Sequence, residues 1–234
     1  AQFSVSSDER RTSDEWFLTI DAFWRRTQIA EITEIVMCCT VPALGEALRG
    51  TFERYFDSVS VWVVGPGVKT GLAIHTDNPK EVGTDRIVNA LAVKELYGGP
   101  AIVVDLSGTA TVFDAVDDQD RYLGGAIAPG VEVSLSALAS NSAQLRSVEL
   151  AVPRNVIGKN TVESIQAGTI FGFAGLIDAI VERMGESLGA DLDHLTVVAT
   201  GRHAEVVPSA CETITTRNRT LTLEGLRFVA EKNR

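Results

Sequence analysis

Apolar and polar positions along this chain fall into alternating short runs and helical stripes. Phe3 and Val5 alternate with polar neighbours and predict a short strand. Thr12 or Ser13 can cap a helix whose first turn carries Asp14 and Glu15, the sign that a helix N-terminus prefers. Trp16, Ile20, Phe23 and Trp24 form its apolar face. Residues 32 to 40, ITEIVMCCT, read as a strand. Pro42 suits the first turn of a second helix, to about Phe56, with Leu44, Leu48, Phe52 and Tyr55 on one face. The run VSVWVV from Val59 to Val64 reads as a strand too apolar to be half exposed. GPGVKTG at 65 to 71 is a glycine-rich turn without P-loop spacing, and its Lys69 is either an anion contact or a solvated loop lysine. After Ala73 to Thr76, the segment DNPKEVG leads into a helix from Thr84 to Tyr97.

Gly98-Gly99-Pro100 breaks that helix. Ala101 to Val104 then runs into Asp105, a turn Leu106-Ser107-Gly108-Thr109 follows, and residues 110 to 115 alternate again, which predicts a hairpin. A charged turn from Asp117 to Arg121 opens a third strand, Tyr122 to Ala128, closed by Pro129-Gly130. A helix follows from Val131 to about Ala143, then a polar, exposed segment to Ile157. The longest helix runs from about Val162 to Leu188. Its Gly168, Gly172 and Gly175 permit close helix contact, either inside one subunit or across a dimer. Leu195 to Ala199 is a strand ending in Thr200-Gly201, and Thr220 or Thr222 caps a last helix from Leu223 to Glu231. This order predicts an α/β fold that appears twice: a duplicated ribonuclease-H-like core, two mixed sheets flanked by helices. Residues 1–100 would form the N-terminal half and residues 101–234 the C-terminal half.

Composition narrows the function. With 234 residues, 45% hydrophobic, the chain has enough apolar material for a substantial core. A net charge of −10 argues against non-specific nucleic-acid binding, because no excess of Lys and Arg is there to displace counterions. An anionic ligand must then rely on local cations, helix N-termini or bound metal. The longest apolar runs fall short of the roughly 20 residues a membrane span needs, and the polar opening Ala1 to Arg11 has no signal-peptide pattern. No membrane association and a cytoplasmic location are therefore expected. The three cysteines include the adjacent Cys38 and Cys39 but no CxxC, which fits a reducing compartment and small buried hydrophobes. His75, His194 and His203 are scattered and define no metal site.

Two stretches carry candidate chemistry. The hairpin at 101 to 116 presents one carboxylate beside a glycine turn. It is either an ordinary turn aspartate or a seat for a phosphate and its metal ion. Asp85 and Arg86 stand at a helix start. There Asp85 is either a cap or a hydroxyl-orienting base with an anion clamp beside it.

The ordered motifs GPGVKTG, DNPKEVGTDRIVNA at 77 to 90, LYGGPAIVVD at 96 to 105 and GTATVFD at 108 to 114 resemble those of the type III pantothenate kinases. So do YLGGAIAPG at 122 to 130, VIGKNTVESIQAG at 156 to 168 and TLEGLRFVAEKN at 222 to 233. That family belongs to the acetate and sugar kinase/Hsp70/actin superfamily. The resemblance implies ATP-dependent phosphorylation of pantothenate to 4′-phosphopantothenate, the first step towards coenzyme A, by a homodimer using Mg²⁺ and a monovalent cation, K⁺ or NH₄⁺. Carried over by motif, Asp85 is the proton acceptor, and Gly83, Thr84, Asp85 and Arg86 form the loop that holds pantothenate, with Thr161 and the Thr76 position as further contacts. Gly108 and Thr109 meet the ATP phosphates, Gly201 lies near the nucleotide, and Asp105 is the monovalent-cation ligand.

The sequence departs from the family pattern at four places. It contains no D-x-G-N-T-N phosphate loop, so a first sheet one strand short and a reduced phosphate cradle are expected. The family's Asp-Phe-Gly-Thr is Asp105-Leu106-Ser107-Gly108-Thr109, one residue longer. In a strand, one inserted residue turns the acid away unless a bulge absorbs it. Thr76 stands where a tyrosine usually precedes DNP, and Arg202 replaces the last glycine of Thr-Gly-Gly. Two alternatives to an active kinase follow. One is a catalytically impaired paralogue acting as a binding or regulatory module, a role suggested by the name Bvg accessory factor that some relatives carry. The other is a kinase of another alcohol in the same superfamily.

Overall fold

The computed structural model describes residues 1–27, 31–56, 58–141 and 148–234. The chain forms two compact units. One comprises residues 1–70, 83–88 and 226–234, the other 71–82 and 89–225.

In the first unit, α1 (Ser13–Thr27) and α2 (Pro42–Tyr55) accompany two strands, β1 (Glu34–Met37) and β2 (Ser60–Val63). A capping box starts α1: the Glu15 N–H donates to Thr12 Oγ1 at 3.3 Å, and the Thr12 N–H donates to Glu15 Oε2 at 2.8 Å. Thr12 is therefore the cap, while Ser13 Oγ donates to the Ala47 carbonyl on α2. Pro42 stands at the start of α2, as its fixed φ favours. β1 and β2 pair in parallel from Glu34↔Ser60 to Met37↔Val63, so this sheet is parallel rather than mixed. Its core gathers Met37, Phe52 and Phe56, with Phe17, Ile20, Trp24, Val61 and Val63 packed against them.

Two expectations for this unit need correction. Phe3 and Val5 form no strand and are 46% and 44% exposed, because no neighbouring strand pairs with them. β2 is half-buried rather than enclosed. Val61 and Val63 pack on the helices, whereas Trp62, on the alternate face, donates from Nε1 to Glu34 Oε1 at 3.1 Å.

The second unit holds β3 (Ala73–Ile74), most of α3 (Thr84–Tyr97), β4 (Ala101–Asp105), β5 (Ala110–Val116), β6 (Arg121–Pro129) and α4 (Val131–Ser140). It continues with α5 (Thr161–Leu188), β7 (Thr196–Thr200), β8 (Thr216–Arg217) and the start of α6 (Leu221–Asn233). Its sheet has the order β3-β6-β5-β4-β7-β8. β5 is antiparallel to β4 and β6, while β7 is parallel to β4 and β8 to β7. β4 is buried except at Asp105 and reads as a continuous apolar run, as a strand covered on both faces should. Ile102, Val104, Phe113, Ile170, Ile177 and Val197 anchor one continuous core, each worth about 1.5–3 kcal/mol of burial.

α5 packs Ile170, Ala174, Ile177 and Val181 into that core. By length and composition it is also long enough and apolar enough to cross a membrane, a property the count of apolar runs missed. Among the described residues, a Cβ at its Gly168, Gly172 or Gly175 would meet nothing within 4 Å. The expected end of α4 near Ala143 lies outside the described residues. Thr220 precedes α6 and bonds Glu224 Oε1 at 2.7 Å, whereas Thr222 lies within the helix and bonds elsewhere.

Candidate active site

β4 and β7 run side by side and end together, with Asp105 opposite Thr200. The turns that follow are tied to each other. The Leu106 N–H donates to the Thr200 carbonyl at 2.9 Å. Gly201 adopts φ +95°, and a Cβ there would lie 2.5 Å from the Ser107 nitrogen. Only glycine fits this close approach. A third segment joins them, as the Gly130 N–H at the start of α4 donates to the Thr109 carbonyl at 2.8 Å. Asp105, Gly108, Thr109 and Gly201 therefore form one cluster at the carboxyl end of parallel strands, where open α/β sheets place their ligands. Ser107, Gly108 and Thr109 are exposed there.

The Asp105 carboxylate is held from two sides. Oδ1 accepts from the Ser107 N–H at 2.8 Å, and Oδ2 accepts from Asn89 Nδ2 at 3.1 Å. The β4–β5 ladder runs unbroken from Ala101↔Val116 to Asp105↔Val112, so no bulge absorbs the extra residue. The turn absorbs it, and the backbone of Ser107 within that turn supplies the bond to Asp105. On the neighbouring turn, Arg202 Nη1 lies 3.3 Å from Glu132 Oε1, and His203 Nε2 lies 3.1 Å from the same oxygen. The side chain that replaces the family's glycine thus pairs with the first turn of α4.

The other sequence candidates make their own local contacts. At the start of α3, a Cβ on Gly83 would lie 2.6 Å from Asp85 Oδ1, so the absence of a side chain leaves room for the carboxylate. Asp85 Oδ1 accepts from the Arg86 N–H at 3.0 Å, and the Ile87 N–H donates to the Gly83 carbonyl at 3.2 Å. Thr84 Oγ1 is buried there without a hydrogen-bond partner. Gly83, Thr84, Asp85 and Arg86 thus form a second group, within the first unit. Thr76 follows β3 and its Oγ1 is likewise buried without a partner, beside Gly124 of β6. Thr161 opens α5 after the cap Asn160 and lines a cavity of ≈ 460 Å³ with Leu135, Ile165, Gly168 and Phe173.

An ATP-bound cation fits the strand-end cluster through one carboxylate. Among the described residues no group of three or more His, Cys, Asp or Glu could hold a metal ion by itself. A monovalent cation, like other hard cations, takes oxygen ligands, and the Asp105 carboxylate at the strand ends offers a hard oxygen donor for one. Sequence reasoning missed Asn89, Thr222 and Glu132. Asn89 had a readable signal, a polar residue within the apolar helix stretch IVNALAV, and a buried polar group calls for an explanation.

The strand order and directions of β4 to β8 define the ribonuclease-H-like class of α/β proteins: 3-2-1-4-5 in chain order, with the second strand antiparallel. A solved structure described as a conserved putative Baf family transcriptional activator from Campylobacter jejuni shares the fold. It matches with a TM-score of 0.59 at 17% identity, covering 92% of this chain and 88% of its own. Residues 1–183 match the family model for type III pantothenate kinase. Relatives named type III pantothenate kinase include one from Thermobifida fusca, 51% identical over 98% of this chain and 89% of its own length. Another, from Streptomyces griseus, is 50% identical over 98% of this chain and 88% of its own. The chain belongs to the type III pantothenate kinase family.

Proposed function

We propose that the chain transfers the γ-phosphoryl group of ATP to the primary hydroxyl of pantothenate, giving 4′-phosphopantothenate for coenzyme A synthesis. Family membership over nearly the whole chain carries this reading. Phosphoryl transfer needs an oriented nucleophile and charge neutralisation more than covalent chemistry. Asp85 accepts the hydroxyl proton late, as the O–P bond forms, because an alcohol is a poor acid. Gly83, Thr84 and Arg86 form the pantothenate loop around it, and the family resemblance gives Thr76 and Thr161 as further pantothenate contacts. Gly108 and Thr109 present the turn after β4 to the ATP phosphates, and Gly201 lets the turn after β7 approach the nucleotide. Asp105 holds a monovalent cation, K⁺ or NH₄⁺. The cations, Mg²⁺ included, supply charge neutralisation at the phosphates when bound. The open glycine face of α5 supports a homodimer, and dependence on ATP supports a cytoplasmic location.

The test is a phosphorylation assay with ATP, Mg²⁺ and K⁺, using Asp85→Asn as control. Wild-type activity with a disabled Asp85→Asn variant supports the assignment, and equal activity in both removes Asp85 as the base. The longer turn after Asp105 and the Arg202 side chain favour a second reading, a catalytically impaired binding module. Thermal melts separate the two, because a ligand that binds only the native state raises the melting temperature. A shift with ATP but no turnover would favour the binding module.

A further inference from the structure

Asn89 is 1% exposed and lies between two partners of opposite character. Its Nδ2 donates to Asp105 Oδ2 at 3.1 Å, and its Oδ1 accepts from Thr222 Oγ1 at 2.7 Å. The polarity of this chain is fixed by chemistry. An ionised carboxylate only accepts, so the amide must present its NH₂ to Asp105. The amide oxygen then faces Thr222, whose hydroxyl must donate. That hydroxyl opposes rotation of the amide by half a turn, which would set its oxygen against the carboxylate.

We propose that Thr222 and Asn89 are positioning residues that hold the Asp105 carboxylate in the orientation required at the nucleotide's cation. The inference rests on the reading of the β4–β7 turns as a nucleotide site. It adds two residues that touch neither substrate nor cation. Ser107, whose N–H meets the other carboxylate oxygen, fixes Asp105 from the loop, and Asn89 fixes it from the helix. Partners behind a metal ligand set its orientation, and their loss commonly costs about 10–100-fold in metal affinity or activity.

The experiment compares wild type, Thr222→Val and Thr222→Ser. Thr222→Val keeps the side-chain shape and removes the donor, whereas Thr222→Ser keeps the donor. K⁺ is titrated against the melting temperature in the presence of ATP and Mg²⁺, and kcat and KM are measured for both substrates. We expect Thr222→Val to raise the K⁺ midpoint about tenfold. KM for pantothenate and the ligand-free melting temperature should hold, and Thr222→Ser should restore the wild-type midpoint. A wild-type midpoint in Thr222→Val overturns the proposal alone. Equal loss of ligand-free stability in both variants, with the midpoint unmoved, also overturns it and leaves only a structural tie. An ATP-dependent shift that does not respond to K⁺ in wild type overturns the proposal alone, whereas absence of any ATP-dependent shift overturns the nucleotide-site reading and the proposal with it.

Discussion

Gly83 and Asp85 are in steric register: the position a Cβ would take at Gly83 lies 2.6 Å from Asp85 Oδ1. Gly83→Ala should therefore displace the carboxylate, because the new methyl would fall on its Oδ1. Gly83 precedes α3 and its carbonyl accepts from the Ile87 N–H, a cap position where alanine is less favoured than glycine. Misplacing a reacting group by about 1 Å can cost about 100-fold in rate. The expected result is a fall in kcat of about 10- to 100-fold, out of proportion to the small cap-related fall in melting temperature, measured by steady-state kinetics and calorimetry. A variant with wild-type kcat would show that Asp85 does not need this conformation.

Asp114 is fully buried on β5, and Tyr122 of β6 donates its hydroxyl to Asp114 Oδ1 at 2.8 Å. Tyr122→Phe removes one donor from a carboxyl group inside the sheet. A loss of about 1–3 kcal/mol in stability is expected, because a buried acceptor stripped of a partner keeps its desolvation cost. Urea unfolding would measure it, and an unchanged midpoint would exclude this bond as a stabilising feature.

Stability should also fall in acid through Asp117. Burial pushes its pKa up, but the Arg121 guanidinium and the N–H groups of Arg121 and Gln119 outweigh burial, and the net direction is down. A carboxyl with a depressed folded pKa adds stability above its unfolded pKa of about 3.9 and loses it as pH falls further. Asp117→Asn should be less stable than wild type at pH 7, and the difference should shrink as pH falls through and below about 4. Thermal melts across that range test it. A difference that widens towards low pH would contradict the assigned direction.

The open glycine face of α5 makes a claim about assembly. Gly172→Leu adds bulk where a second copy would pack, and in the chain alone the new side chain meets open space at its Cβ. The expected outcome in light scattering at micromolar concentration is a dimer for wild type and a monomer for the variant. A wild-type monomer would remove the dimer.

Much of this architecture was legible in the sequence. The bounds of α3, the β4–β5 hairpin and the length of α5 followed from periodicity, Pro and Gly, because local rules decide them. Phe3 and Val5 read as a strand because alternation describes a strand without supplying its neighbour. β2 read as enclosed because composition does not report how many layers cover a sheet. In the site, Asp105 was legible as a carboxylate at a strand end beside a glycine turn, whereas Gly108, Thr109 and Gly201 entered through the family resemblance. Thr222 was read as a cap because Ser and Thr favour caps, and its bond to Asn89 spans 133 residues, a distance no local pattern reports. Glu132 escaped for the same reason, lying 70 residues from Arg202.

The acid at the end of β4 carries its own tether. One bond comes from the turn immediately after it and the other from a helix, so neither depends on how many residues the turn contains beyond Ser107. This insulates the carboxylate from changes in loop length: the segment can gain a residue while the sheet keeps its register.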